Sequence, residues 1–511
     1  MDIQDRYIVA IDLGTSKIAL SVAKVSGDDS QIVYYKETPS EGIRNSSVFN
    51  PAKVSAPLAE AITQAENALG IKIHQAVVGM PKYPVRQESN TGKVEGRGEE
   101  SDITADDIAE LQRAVQDTYP LEDRKTEAIY GSVAQSFSDG ENFQIKEDDI
   151  VGMSSNTLEG HFKIFIGKRK ELINADSLLA KAGISARKKY FTADTTAHVI
   201  LSETEMENGV ALVDFGGGST SVAIYHDGIM RHYASIPFGG KNITHDIKSE
   251  LQITERLAEN IKMAFGACMP EKLLNMSEKV LHIVDKNSTQ DKQVAVKYLS
   301  EIITARVREI MEAVLYEIQE SGLAEHLRCG IVITGGAART ANLGMMVNEM
   351  SGYNVRIGYP RYDIAGYEMD GVHETSATTI LGLITAAMKE ETANCAVDTG
   401  MPFEKVETEE VKVVVAAEEV EEVSKTEVKV TEDVETEIEE DMTEEADEDE
   451  TEVKVQVNHT EEKKEEENEE KEKAERWKFL KVVWGKAQNI GANINKIIDG
   501  ITVDDEESDE E

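Results

Sequence analysis

At 511 residues the chain is long enough for several domains, and its formal net charge of −43 is unevenly placed. Between Glu404 and Glu475 there are 32 acidic and 9 basic residues, and Asp504–Glu511 adds seven acids and no base. Such acidic, aromatic-poor stretches cannot bury enough apolar surface to offset their ordering entropy and predict disorder, while the acidic balance elsewhere argues against a nucleic-acid partner.

The N-terminus MDIQDRYIVAIDLG enters a strand directly, without a signal-peptide pattern. Ile8–Ile11 followed by Lys17–Val25 predicts a β-hairpin around a Gly-Thr-Ser turn. Asn50-Pro51 predicts a helix start and Gly70 its end, with Val54, Leu58, Ala61, Ile62, Ala65 and Leu69 recurring at helical spacing between them. Ala76–Gly79 predicts a short buried strand. From Tyr83 to Lys189 the pattern is a polar loop rich in Gly and Glu, then a helix over Thr104–Asp117. Strands near Ala128–Ser136 and Phe162–Lys168 follow, and then a helix over Glu171–Ala182. This predicts a small α/β module inserted into a larger fold. A second hairpin, Val210–Phe215 with Ser221–Tyr225, repeats the first and predicts an internal duplication, two like lobes facing one another. Helices over Thr254–Ala267 and Val294–Ser321 and a buried strand Gly330–Thr334 complete the pattern. Cys268, Cys329 and Cys395 stand far apart, without metal-ligand or redox spacing, and read as free thiols of a reducing cytosol. No run of about 18 apolar residues is present to span a bilayer.

Each hairpin turn combines a strand-end aspartate, glycine and hydroxyl side chains. One has Asp12, Gly14, Thr15, Ser16 and Lys17, and the other has Asp214, Gly216, Gly217, Gly218, Ser219 and Thr220. Glycine lets backbone N–H groups approach a phosphate, the hydroxyls and Lys17 add donors, and Asp12 and Asp214 suit a hydrated Mg²⁺. Either turn alone is equally an ordinary hairpin; both, at corresponding places in two lobes, predict a phosphate clamp. Gly335, Gly336, Ala337 and Ala338 end a buried strand with small residues that would let an adenosine lie against backbone, or that simply pack a tight strand–helix turn.

The three motifs, in this order, resemble those of the actin, sugar-kinase and chaperone superfamily, over roughly residues 6–390. The resemblance implies a two-lobed actin-like (ribonuclease H-like) α/β ATPase fold that binds ATP and Mg²⁺, with Asp214 the better candidate to activate water. It also implies that Glu259 and Lys262 hold the ribose and base. Within that superfamily the chain is similar to the FtsA family of bacterial cell-division proteins. The resemblance rests on Gly42-Ile43-Arg44-Asn45, the inserted module, Val355–Gly358, Ala377–Leu383, and the long charged linker ending in an amphipathic segment. That similarity implies filament formation, binding of the tubulin-like protein FtsZ through its C-terminal peptide, contact with other division proteins, and a peripheral place at the cytoplasmic face of the inner membrane. One departure concerns Phe191–Ala197, where related actins place the Gln or Glu that orients the attacking water. Neither occurs there, so at most weak hydrolysis is expected.

Residues 475–501 change character. Trp477, Leu480, Trp484, Ile494 and Ile498 recur at helical spacing, flanked by Phe479, Val483, Ile490 and Ile497 and edged by Arg476, Lys478, Lys481, Lys486 and Lys496. This predicts an amphipathic helix lying in the headgroup plane of a membrane. A helix docking on the globular body or on a protein partner has the same pattern, but a flexible linker of about 80 residues spans on the order of 50 Å and suits a tether. The expected organisation is a first lobe begun by residues 1–82, the inserted module 83–189, and residues 190–395 forming the second lobe and returning to the first. A disordered acidic linker 396–474, the membrane helix 475–501 and an acidic tail 502–511 follow. Two rival readings are a pilus-assembly or rod-shape actin homologue and a small-molecule kinase on the same fold.

Overall fold

The strand Arg6–Leu13 is apolar at almost every position because both of its faces are covered. Tyr7, Val9, Ile11 and Leu13 pack with the helix Pro51–Leu69 and with Leu178 and Leu179 of the helix Arg169–Lys181. Ile8 and Ala10 face the other way, among Ile380, Leu381 and Ile384 of the helix Thr378–Met388. The computed structural model describes residues 5–27, 29–95, 102–276, 279–283, 292–361, 369–390, 392–399 and 428–430. The amphipathic segment 475–501, the acidic tail and most of the linker lie outside the described residues. The chain divides into two units, Met1–Lys279 with Ala295–Thr426, and Val280–Val294 with Glu427–Glu511.

In the first unit, Arg6–Leu13 lies in a seven-stranded sheet, antiparallel to Lys17–Ser26 and parallel to Gln75–Gly79. A five-stranded sheet repeats the scheme: Val210–Phe215 is antiparallel to Thr220–His226 and parallel to Ile331–Thr334. Shared connectivity of this kind is what an internal duplication leaves behind. The helix Pro51–Leu69 buries the six residues expected of it, about 1.5–3 kcal/mol for each Val, Leu or Ile. Its ends are set by Asn50, whose side chain accepts from the Ala52 N–H at 3.1 Å, and by Gly70 at φ 64°.

The inserted module is a three-stranded antiparallel sheet, Val85–Glu95, Thr157–Lys168 and Glu127–Ser138, with the helix Ala105–Thr118 packed on it. Thr104 and Asp107 form a capping box at that helix. Two expectations are corrected here. The polar loop is an edge strand, Val85–Glu95, most of whose residues are at least partly exposed, so it lacks apolar alternation. The helix Arg169–Lys181 and the strand Ser185–Tyr190, expected inside the module, belong to the first lobe: the helix joins its core, and the strand pairs with Gln75–Gly79.

Residues 388–390 and 392–399 fasten onto the first strand. The Arg6 guanidinium donates to the carbonyls of Glu390 (2.6 Å), Met388 (3.2 Å) and Ala393 (3.3 Å), and the Cys395 N–H donates to the Tyr7 carbonyl at 2.7 Å. Ala396–Asp398 then runs between Arg6–Leu13 and Ile71–Ile73, antiparallel to both. In the second unit, Val280–Ile283 pairs in parallel with Val428–Val430, a three-residue strand within the linker where the sequence predicts disorder throughout.

Candidate functional site

Asp12 and Asp214 occupy the same register position in the two hairpins, one residue before the end of the first strand, opposite Ala19 and Ser221. The turns that follow are in contact. The Ser46 N–H donates to Thr15 Oγ1 at 2.9 Å, the Ser46 and Ser219 hydroxyls lie 2.9 Å apart, and Lys241 Nζ donates to the Thr15 carbonyl at 2.8 Å. A Cβ at Gly217 would lie 2.2 Å from Ser16 Oγ and 3.2 Å from Ser16 Cβ, so its absence helps the two turns approach this closely.

A cavity of about 430 Å³ opens beside them, within the usual size of a small-molecule site. Of the residues expected to bind a ligand, Asp12, Gly14, Thr15, Ser16, Lys17, Asp214, Gly216, Gly217 and Ser219 line it. Glu259, Lys262, Gly335, Gly336 and Ala337 line its other end. Three expected residues do not. Gly218 packs against Thr15, where a Cβ would lie 2.6 Å from its hydroxyl; Thr220 is fully buried with its hydroxyl donating to the Phe238 carbonyl at 2.8 Å; Ala338 is buried. Gly218 and Thr220 support the second turn, and none of the three lines the cavity.

The cavity's charges are paired with one another, and one pair crosses the lobes. Lys82, which follows the strand Gln75–Gly79, is ion-paired with Asp214 and donates to Thr379 Oγ1 at 3.0 Å. Burial alone would lower its basicity, but Asp214 and Asp12 outweigh that and hold it above the usual lysine value. Burial likewise pushes the Asp12 carboxyl up, opposed by Lys82 and Lys17. Lys17, expected to face phosphate, is ion-paired with Glu37. At the far end, Lys262 Nζ donates to Glu259 Oε2 and to Thr244 Oγ1, each at 2.8 Å, and burial lowers its pKa.

This chemistry fits a magnesium nucleotide. Two carboxylates at the turns suit a cation that keeps water and phosphate oxygens as its other ligands, and among the described residues no three His, Cys, Asp or Glu converge into an all-protein cage. Gly335 has φ 91°, and a Cβ there would meet Asp214 Oδ1 at 2.5 Å; a Cβ at Gly336 would have nothing within 4 Å, leaving room for a flat base. The segment Phe191–Ala197 does not line the cavity: Thr192, Ala193, Thr195, Thr196 and Ala197 are buried. Sequence reasoning missed Lys82, Glu37, Ser46 and Thr379. Lys82 had a usable signal, because ligands of α/β sheets sit beyond the carboxyl ends of parallel strands, and Gln75–Gly79 is the parallel neighbour of the Asp12 strand.

Comparison with known proteins agrees with this architecture. The family profile for cell division protein FtsA matches residues 211–382. The chain is 31% identical over 395 residues to cell division protein FtsA of Neisseria meningitidis, covering 76% of this chain and 92% of the relative. It is 27% identical over 382 residues to the Bacillus subtilis protein of that name, covering 75% and 83%. The solved PilM-PilN type IV pilus biogenesis complex has a chain of similar fold, with TM-score 0.53 and 13% identity, covering 74% of this chain and 98% of that one. The fold is the two-lobed actin-like one, and the chain belongs to the FtsA family of cell division proteins.

Proposed function

We propose that the cleft binds ATP with Mg²⁺ and that the protein, as a filament, fastens FtsZ to the cytoplasmic face of the bacterial inner membrane at the division site, where it contacts other division proteins. The observation that carries the nucleotide reading is the contact between the two Asp–Gly–hydroxyl turns, which places their donors and both carboxylates around one cavity. Asp12 and Asp214 hold the metal through water, Gly14–Ser16 with Gly216, Gly217 and Ser219 hold phosphates, and Glu259, Lys262 and Gly335–Ala337 enclose the nucleoside. Residues 475–501 supply the attachment to lipid, and the acidic linker gives it reach.

Gly336→Arg tests the cleft. Nothing lies within 4 Å of a Cβ at Gly336, so a side chain there starts into open space at the cavity wall. The variant is expected to keep its fold and to bind a fluorescent ATP analogue about tenfold or more weakly, since a lost set of charge-assisted hydrogen bonds has that scale. Equal affinity of parent and variant would remove the base from this part of the cleft.

Hydrolysis is expected to be slow, because Phe191–Ala197 carries neither Gln nor Glu and its one carboxylate, Asp194, does not line the cavity but accepts from the Tyr225 hydroxyl at 3.3 Å. Steady-state phosphate release should stay below about 1 per second, the low end of ordinary enzymes. Faster turnover would mean that another residue, such as the cavity-lining Glu171, takes that role.

A further inference from the structure

Lys82 stands where the two lobes and the inserted module meet. Its carbonyl accepts from the Tyr233 hydroxyl at 3.0 Å, and the carbonyl of Tyr83 accepts from Ser47 Oγ at 3.2 Å, so the backbone here is held from both lobes. Its ammonium is bonded to Asp214 of the second lobe and Thr379 of the first, within the field of Asp12. The two carboxylates assigned above to a divalent cation are thus already served by a cation of the protein's own. A lysine is a point charge on a flexible stem, able to leave one anion for another without moving its backbone.

We propose that Lys82 is an exchangeable cation of the cleft: it shields Asp12 and Asp214 from a divalent metal that arrives alone, and turns to the phosphates when metal and nucleotide arrive together. This rests on the nucleotide reading above. A metal ion alone must displace the ammonium from Asp214 and leave it with no new anion. A metal–triphosphate brings its own negative charge, which receives the displaced ammonium. The protein would therefore select the complex over free metal by electrostatics. Because Lys82 directly precedes the segment Tyr83-Pro84 that enters the module strand Val85–Glu95, its change of partner would occur at the module's root.

The test measures two affinities that should move in opposite directions. Without nucleotide, Mn²⁺ binding followed by the loss of the free-ion magnetic resonance signal is expected to be about tenfold or more tighter for Lys82→Met than for the parent. Lys82→Arg, which keeps the charge, should stay near the parent. With Mn²⁺ present, ATP binding should instead weaken about tenfold or more in Lys82→Met. A merely structural lysine would weaken both or neither. Equal Mn²⁺ binding by parent and Lys82→Met, or none by Lys82→Met, overturns the proposal whatever ATP does. Failure of the parent to bind ATP would overturn the nucleotide reading, and the release step with it, while the metal comparison still decides whether Lys82 shields the carboxylates. Circular dichroism checks folding, and Lys82→Gln replaces Lys82→Met should the latter unfold.

Discussion

Asp214→Ala is expected to destabilise the protein by about 3–5 kcal/mol, because it leaves the ammonium of Lys82 buried without its main partner. The side chains of Lys82 and Asp214 are only 16% and 10% exposed, so water cannot take over the missing charge. Asp12 still contributes part of the field, which places the expectation in the lower half of that range. Urea unfolding followed by circular dichroism measures it. The variant carrying both Lys82→Met and Asp214→Ala should recover most of the loss, because no ammonium is then stranded. Asp12, whose carboxyl burial already pushes up, can take a proton instead of remaining a lone buried charge. Strictly additive effects of the two substitutions would show that the pair is not coupled. A consequence for nucleotide work follows: weaker ATP binding by Asp214→Ala mixes lost ligation with lost stability, whereas Gly336→Arg does not.

Replacing Trp477 and Trp484 together by Glu is expected to abolish most co-sedimentation with liposomes while leaving ATP binding unchanged. Both tryptophans of the chain fall in residues 475–501, at a spacing that puts them on one face of a helix. Fully burying each aliphatic side chain of that face would be worth about 1.5–3 kcal/mol. Interfacial burial is partial and a single helix would bind reversibly, so the filament proposed above would supply avidity by displaying many such helices. Equal sedimentation of parent and double variant, or none by the parent, would assign the segment to a protein partner. The acidic tail provides a second comparison. Ending the chain after Val503 removes seven acids and should strengthen lipid binding most at low salt, where charges are least screened.

The parts of the fold legible in the sequence were those built by local rules. The helix Pro51–Leu69 announced itself through Asn50, Pro51, Gly70 and a six-residue stripe, and each hairpin through its β-branched strands and glycine turn. The strand Val85–Glu95 was not legible, since an edge position with exposed faces puts no apolar period on its residues. The helix Arg169–Lys181 was legible as a helix, but its packing on the first lobe depends on contacts far away in sequence. The site divides in the same way. The glycine and aspartate turns could be read because glycine and a strand-end carboxylate are scarce in ordinary strands. Lys82 could not be matched to Asp214, 132 residues away, by any local pattern. Lys17 shows the converse: it is adjacent to the turn in sequence and lines the cavity, yet its charge is committed to Glu37.

The attachment of residues 388–390 and 392–399 to the first strand also fixes how the molecule would carry mechanical tension. A pull on the chain beyond Thr399 first loads the Thr399 N–H bond to the Gly70 carbonyl (3.1 Å), then the rungs of Ala396–Asp398. The load next passes through Cys395 and the Arg6 guanidinium into the strand Arg6–Leu13. Asp12 stands near the far end of that strand from Arg6 and Tyr7, where the force enters. Traction on the C-terminal segment and the position of the first Asp–Gly–hydroxyl turn are therefore borne by one strand.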